Sequence, residues 1–190
     1  MSAEDHRLIR DCLEGRSEAF GELVRRYQDR LYNTVLRLLD NAEDALDVVQ
    51  DAFLSAYQSL DTFKGDSLFF TWLYRIAVNT AFSLKRKQRA TLSIYRGAEQ
   101  GGGTEPHDPS QESQPDRALE VADEERRIQQ ALNRLSPEHR LVLIMKDMEG
   151  QKYEVMAEVL GVPIGTIRSR LHRARMELRD ILLQEEERKK

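Results

Sequence analysis

The chain has 190 residues, 29 Lys/Arg against 33 Asp/Glu, a formal net charge of −4 and 40% apolar residues, which fits one medium or two small folded domains. No apolar run approaches the roughly 18 to 20 residues of a spanning helix, and the start, MSAEDHRLIRDCLEG, lacks the basic and apolar regions of a signal peptide. A cytoplasmic location is therefore expected. The single Cys12 excludes an internal disulfide and is expected as a buried filler on the first helix, and His6, His107, His139 and His172 show no metal-ligand spacing. Neither a metal nor a cofactor is expected.

Charge is unevenly placed. Residues 1–60 hold 7 Lys/Arg against 12 Asp/Glu, residues 61–90 hold 6 against 2, residues 91–127 hold 4 against 9, and residues 161–190 hold 8 against 5. Two basic islands thus stand in an acidic background, each a candidate surface for a polyanion.

Taken in chain order, Ser17 is placed to cap a helix running to about Leu39, and Asn41 to cap a second, with Asp44 three residues on. On that second helix Glu43, Asp44, Asp47, Gln50 and Asp51 fall within about 120° of one another. Ala45, Val48, Val49, Ala52, Phe53 and Ala56 take the other side. Such an acidic face is either simply solvated or a docking face for a basic partner.

The stretch from Lys64 to Ser67 supplies turn residues and then a cap for a helix starting near Leu68. Phe69, Leu73, Ile76, Ala77, Thr80 and Leu84 form its core stripe. A second stripe, Trp72, Arg75, Asn79, Phe82 and Arg86, interleaves aromatic, cationic and amide groups. Aromatic faces accept stacked bases, arginines neutralise phosphates and an amide reads base edges, so the mixture suits single-stranded nucleic acid. The plainer alternative is that Trp72 and Phe82 pack against neighbouring helices.

From about residue 90 to 117 the sequence holds Gly101-Gly102-Gly103, three prolines and few apolar residues, the composition of a flexible linker. Both flanks repeat apolar residues at helical spacing and neither alternates with period two, so the fold class is all-α. The expected division is a domain over 1–89, a linker over 90–117 and a second domain over 118–190.

In the second domain, Ser136 caps and Pro137 opens a helix. A short helix, a tight turn at Leu160-Gly161-Val162-Pro163 and a longer helix from near Gly165-Thr166 then follow the grammar of helix-turn-helix. On the last helix Ile167, Leu171, Ala174 and Leu178 share the core face. With Arg168 at 0°, His172, Ser169 and Arg173 lie at about 40°, 100° and 140°, Arg170 at about 200°, and Arg175 repeats the position of Arg168 two turns on. Ile164 to Met176 holds four arginines and no acid. That face can offer guanidinium forks to guanine or phosphate; an ordinary solvated face, with Arg173 pairing Glu177, is the alternative.

Three motifs in order resemble a known family. LDVVQDAFLSAYQSL, FKGDSLFFTWLYRIAVNTA and EGQKYEVMAEVLGVPIGTIRSRLHRAR are similar to the polymerase-binding, promoter-melting and helix-turn-helix motifs of extracytoplasmic-function (ECF) sigma factors of bacterial RNA polymerase. The resemblance implies that the acidic face with Asp47, Gln50 and Asp51 docks on the coiled coil of the largest subunit of core RNA polymerase. It implies that the loop Asp61–Ser67, including Phe63, Lys64 and Ser67, together with Asn79, holds a flipped base of the minus-10 element, alongside Trp72, Arg75 and Arg86. It implies that Thr166, Arg168, Ser169, Arg170, His172 and Arg173 read the minus-35 element as duplex promoter DNA, and that an anti-sigma factor is a further partner.

Two places depart from the family pattern. Lys152 and Val155 stand where the family has a capping box, whose absence costs about 1 kcal/mol, and Val155 is expected to sit on a partner surface. Phe82-Ser83-Leu84-Lys85 is more apolar than the family's usual helix end. One rival reading is a helix-turn-helix regulator that binds duplex operators without polymerase; it explains the second domain but leaves the Trp72/Asn79 stripe unexplained. An enzyme is not expected, since there is no Walker A pattern, no HExxH and no carboxylate cluster suited to two metals.

Overall fold

The computed structural model describes residues 3–95 and 115–188, and every regular element among them is helical. The N-terminal half holds α1 (Ala3–Leu13), α2 (Glu18–Leu39), α3 (Ala42–Gln58), a 3-10 turn (Leu60–Thr62) and α4 (Phe69–Tyr95). The C-terminal half holds α5 (Pro115–Arg134), α6 (Pro137–Leu143) with a π-helical turn (Ile144–Met148), α7 (Tyr153–Leu160) and α8 (Ile164–Arg188). The expected linker overlaps the end of α4 and the start of α5; its centre, 96–114 with the three glycines and His107, lies outside the described residues.

Local chemistry explains most boundaries. Asn41 caps α3 by accepting from the Asp44 amide at 2.9 Å, and Ser136 caps α6 through the His139 amide at 3.3 Å with Pro137 at the first turn. Ser17 behaves differently from expectation: it already has helical dihedrals and makes no side-chain cap. Ser67 likewise turns its hydroxyl to the Leu68 carbonyl at 3.4 Å, and α4 begins one residue later than expected. Asp40 ends α2 in the left-handed region, φ 57°, with its amide on the Leu36 carbonyl, a conformation that aspartate tolerates better than bulkier side chains. Gly161, φ 63°, makes the turn between α7 and α8, where any Cβ would be strained.

The N-terminal core gathers Leu23, Leu31 and Val35 of α2, Ala45, Val48, Ala52 and Phe53 of α3, and Phe69, Leu73 and Ala77 of α4. The full apolar side of α3 anticipated above is buried. Asp5 pins α1 to α2: buried itself, it accepts from Arg26 at 2.6 Å and from the Tyr27 hydroxyl at 2.9 Å. The C-terminal core is built from Leu141 to Met145, Met156 and Val159, and Ile167, Leu171 and Ala174, so α6 and α7 both pack on α8.

The two halves are docked on each other. Arg140, only 6% exposed, donates from Nε to the Leu132 carbonyl and from Nη1 to the Leu38 carbonyl, both at 2.8 Å. One guanidinium thus caps the carboxyl ends of α5 and α2, one from each half, where helix carbonyls lack partners and carry partial negative charge. Burial lowers the Arg140 pKa from its ordinary value, with Asp40 opposing. Around it Lys85 donates to the Leu39 carbonyl at 3.0 Å, Gln129 to the Arg37 carbonyl at 3.0 Å, and Asn133 to Asp40. On the far side Glu149 accepts from Thr34 and, at 3.4 Å, from the buried Tyr74 hydroxyl.

Helix α7 shows why it docks. Tyr153, Val155, Met156, Ala157, Val159 and Leu160 leave only Glu154 and Glu158 fully exposed, and the helix touches both α8 and α4. A short helix that is apolar nearly all round is one covered on two sides. Val155, expected on a partner surface, is partly buried and packs against the core.

Candidate nucleic-acid interface

On α3 the residues Asp47, Gln50 and Asp51 are exposed on one side. Asp44 is partly withdrawn, accepting from Gln88 of α4 at 2.9 Å. Between and beside the acids stand Leu46, Leu54 and Tyr57, exposed by 50%, 55% and 44%. On the wheel they lie within about 100° of Asp47, so this side of α3 is an apolar strip edged by carboxylates. Sequence reasoning missed these three because α3 carries apolar residues on both sides; only the complete burial of the opposite side identifies them as surplus.

On α4 the arc of burial is wider than the single core stripe expected. Phe70, Thr71, Tyr74, Val78 and Ala81 are also buried, and the remaining open strip presents Arg75, Asn79 and Arg86. Trp72 and Phe82 are only partly exposed. The Trp72 ring packs on Phe63 and Phe69 at centroid distances of 5.1 and 5.9 Å, and Phe63 meets Phe69 edge-on at 5.9 Å. The tryptophan packs, but on its own helix at Phe69 and on Phe63, which belongs to the 61–67 loop. The ring cluster brings that loop against the first turn of α4. Lys64 is exposed and Ser67 partly so.

On α8 the core face is as anticipated, with Ile167, Leu171 and Ala174 buried. Arg168, Ser169, His172 and Arg173 are exposed, while Thr166 and Arg170 are partly covered. Ser169 donates to the Thr166 carbonyl at 3.0 Å. Glu177 does not pair with Arg173; it takes His139 Nδ1 at 2.7 Å. The arginines of the face divide. Arg168 lies 5.7 Å from the Tyr153 ring centroid and Arg175 is bound by Asp147, whereas Arg170 and Arg173 make no ion pair among the described residues.

Comparison with known proteins decides what this arrangement is. Residues 23–91 match Sigma-70 region 2 and residues 125–178 match Sigma-70, region 4. The chain is 36% identical over 174 residues to the RNA polymerase sigma-H factor of Pseudomonas aeruginosa, and 37% identical over 173 residues to the ECF RNA polymerase sigma-E factor of Escherichia coli. In both cases 90% of each chain is covered. The chain belongs to the ECF sigma factors of bacterial RNA polymerase.

As an ECF sigma factor it is a transcription initiation factor, not an enzyme, and it directs RNA polymerase to promoters through regions 2 and 4. Region 2 spans α2–α4 and region 4 spans the end of α5 through α8, with α7 and α8 forming its helix-turn-helix. Two solved structures are similar to it. CnrH in complex with the cytosolic domain of CnrY matches with a TM-score of 0.65 and 27% identity, over 94% of this chain and 97% of that one. The sigma factor RpoE in complex with the anti-sigma factor NepR, from Bartonella quintana, matches with a TM-score of 0.67 and 28% identity, over 86% and 96%. No described helix of this ECF sigma factor is long and apolar enough to cross a membrane.

Proposed function

We propose that the chain works as three contact surfaces on two domains, residues 1–89 and 118–190, joined by a linker over 90–117. The α3 face docks on the largest-subunit coiled coil of core polymerase, with Asp47, Gln50 and Asp51 pairing basic residues and Leu46, Leu54 and Tyr57 supplying apolar area. The α4 strip with its adjoining loop reads the minus-10 element as single strand. Phe63, Lys64, Ser67 and Asn79 hold an extruded base, Trp72 supports the loop, and Arg75 and Arg86 take phosphates. The α8 face reads the minus-35 element as duplex through Thr166, Arg168, Ser169, Arg170, His172 and Arg173. The factor acts in the cytoplasm, and an anti-sigma factor is its inhibitory partner, as the partner named in one similar structure suggests.

The observation that carries this reading is the separation of chemistry between two basic helices. The α4 strip combines an exposed amide, cations and an aromatic-braced loop, which suits extruded bases. Helix α8 offers guanidinium groups and no Phe, Tyr or Trp on its outward face, which suits a major groove. A regulator that binds only duplex operators uses the second and leaves the first idle.

The test is co-elution of the full chain with core RNA polymerase, followed by binding to a fork-junction probe carrying single-stranded minus-10 DNA. The reading requires a stable complex that prefers the fork to plain duplex, and loss of co-elution by the double variant Asp47→Lys, Asp51→Lys. A chain that ignores polymerase and binds duplex alone contradicts it.

A further inference from the structure

Helix α6 gives way to the π-helical turn Ile144–Met148, closed by the Glu149 amide on the Ile144 carbonyl at 3.0 Å. Such turns recur at functional positions because they re-aim side chains out of α-helical register. Here the turn is further fixed by the Gln151 amide on the Met145 carbonyl, 2.8 Å, and by Lys146 Nζ on the Gln151 carbonyl, 3.0 Å.

The two polar side chains of that turn reach different helices, Asp147 to α8 and Lys146 to the start of α7. Asp147 takes Arg175 as a fork, Nε on Oδ2 at 3.0 Å and Nη2 on Oδ1 at 2.5 Å. That is the planar two-point pairing at which guanidinium and carboxylate are matched. Lys146 Nζ lies 4.8 Å from the Tyr153 ring centroid, and Arg168 Cζ lies 5.7 Å from the same ring, within the range of cation–π attraction. Arg168 and Arg175 are seven residues apart and so only about 20° apart on the helix. One flank of α8 is thereby held by its neighbours, while Arg170 and Arg173, on the other side, are not.

Resting on the reading of α8 as the duplex-reading helix, we propose that Asp147 and Tyr153 are positioning residues that sort its arginines. They hold Arg175 out of reach of phosphate and fix the direction of Arg168, and they leave Arg170 and Arg173 as the mobile contacts. The physical purpose follows from how polyanions bind. Non-specific affinity grows with each cation that reaches a phosphate, with a log–log salt slope of about −0.9 per contact. Base reading depends instead on a few oriented forks. A carboxylate at the edge of a DNA-binding helix is repelled by phosphate and neutralises one arginine. It therefore lowers non-specific binding more than specific binding and raises their ratio, the quantity that governs promoter search. Asp147 also holds the Arg175 guanidinium above its ordinary pKa.

The experiment titrates the full chain with a short mixed-sequence duplex, and with the duplex the chain enriches from a random pool, across a salt series. Asp147→Asn releases Arg175, so on mixed-sequence DNA the slope steepens by about 0.9 and the ratio of selected to mixed affinity falls. Arg175→Gln alone leaves the slope as in wild type, and the double variant Asp147→Asn, Arg175→Gln returns to it. An Asp147 that serves only stability lowers the melting temperature and moves no slope, and that result overturns the proposal. So does a slope already reduced in Arg175→Gln alone, which means that Arg175 touches phosphate in the native chain. For Tyr153, Tyr153→Phe keeps the ring and the affinity ratio, whereas Tyr153→Leu lowers the ratio; equal behaviour of the two removes Tyr153 from the account. Arg170→Ala with Arg173→Ala separates the levels. If that pair changes neither affinity nor slope, the duplex reading of α8 falls with the proposal; if it does and Asp147→Asn does not, the sorting alone fails.

Discussion

Regions 2 and 4 each present one basic helix, but they prepare it in opposite ways. On α4 Arg75 and Arg86 are exposed and the aromatics are constrained, Trp72 packing at a tilt on Phe63 and Phe69. On α8 no Phe, Tyr or Trp faces outward, and it is two of the cations that have partners, Arg175 on Asp147 and Arg168 beside the Tyr153 ring. An extruded base needs a rigid wall and an edge-reading amide, so the ring cluster is what must be fixed. A duplex is already ordered, so what must be set is which guanidinium groups are left to reach it. Similar basic islands in the sequence thus become two different kinds of surface through what packs behind them.

The contrast also extends to how the regions are supported, and its largest test is Arg140. Arg140→Ala removes the shared cap of α2 and α5 and leaves buried carbonyls unpaired, a loss of about 2–5 kcal/mol. Chemical denaturation with probes in both halves checks this, and the halves should separate into two transitions as region 4 loses its anchor. Next in size, Trp72→Ala opens the ring cluster and destabilises region 2 by about 2–3 kcal/mol, below the full cost of a buried tryptophan because the ring is only partly covered. Trp72→Phe should recover most of this in thermal unfolding while fork-junction binding reports how much the indole itself contributes.

Substitution of Arg170 by alanine should cost about 1–3 kcal/mol at one minus-35 position if its fork meets guanine. Uniform weakening across all sequences assigns it to phosphate instead. The smallest effect concerns Tyr74. Burial, with Glu149 beside it, holds its phenol well above the ordinary value near 10. The folded state then keeps a proton that the unfolded chain releases, so stability declines as pH rises above about 10. Tyr74→Phe should flatten that alkaline decline in circular-dichroism melts, and an unchanged decline removes Tyr74 as its source.

Much of this was legible in the sequence where local chemistry decides. The Asn41 and Ser136 caps, the Gly161 turn, the buried side of α3 and the core face of α8 follow from spacing and residue type alone. What escaped were features that depend on the other half of the chain. The lone Arg140 within the run RLVLIM signals a buried cation, but nothing local says that its acceptors are the ends of α2 and α5. Helix α7 carries Val155 where a capping-box acid was expected, and its nearly uniform apolar surface makes sense only against α4. Ser17 and Ser67 have the right type and place for capping, yet backbone geometry assigns them otherwise. The π-helical turn has no sequence signature at all, and with it the Asp147–Arg175 pair stayed hidden.

The most direct test of the central claim, two surfaces reading two forms of DNA, is transcription by the holoenzyme reconstituted from core polymerase and the full chain carrying Asn79→Ala. A promoter recovered from genomic fragments that the wild-type holoenzyme transcribes serves as template, once as linear duplex and once pre-melted across its minus-10 element. The account predicts retained duplex binding, a large loss of transcription on linear duplex and substantial recovery on the pre-melted template. Unchanged transcription from the linear duplex would contradict it.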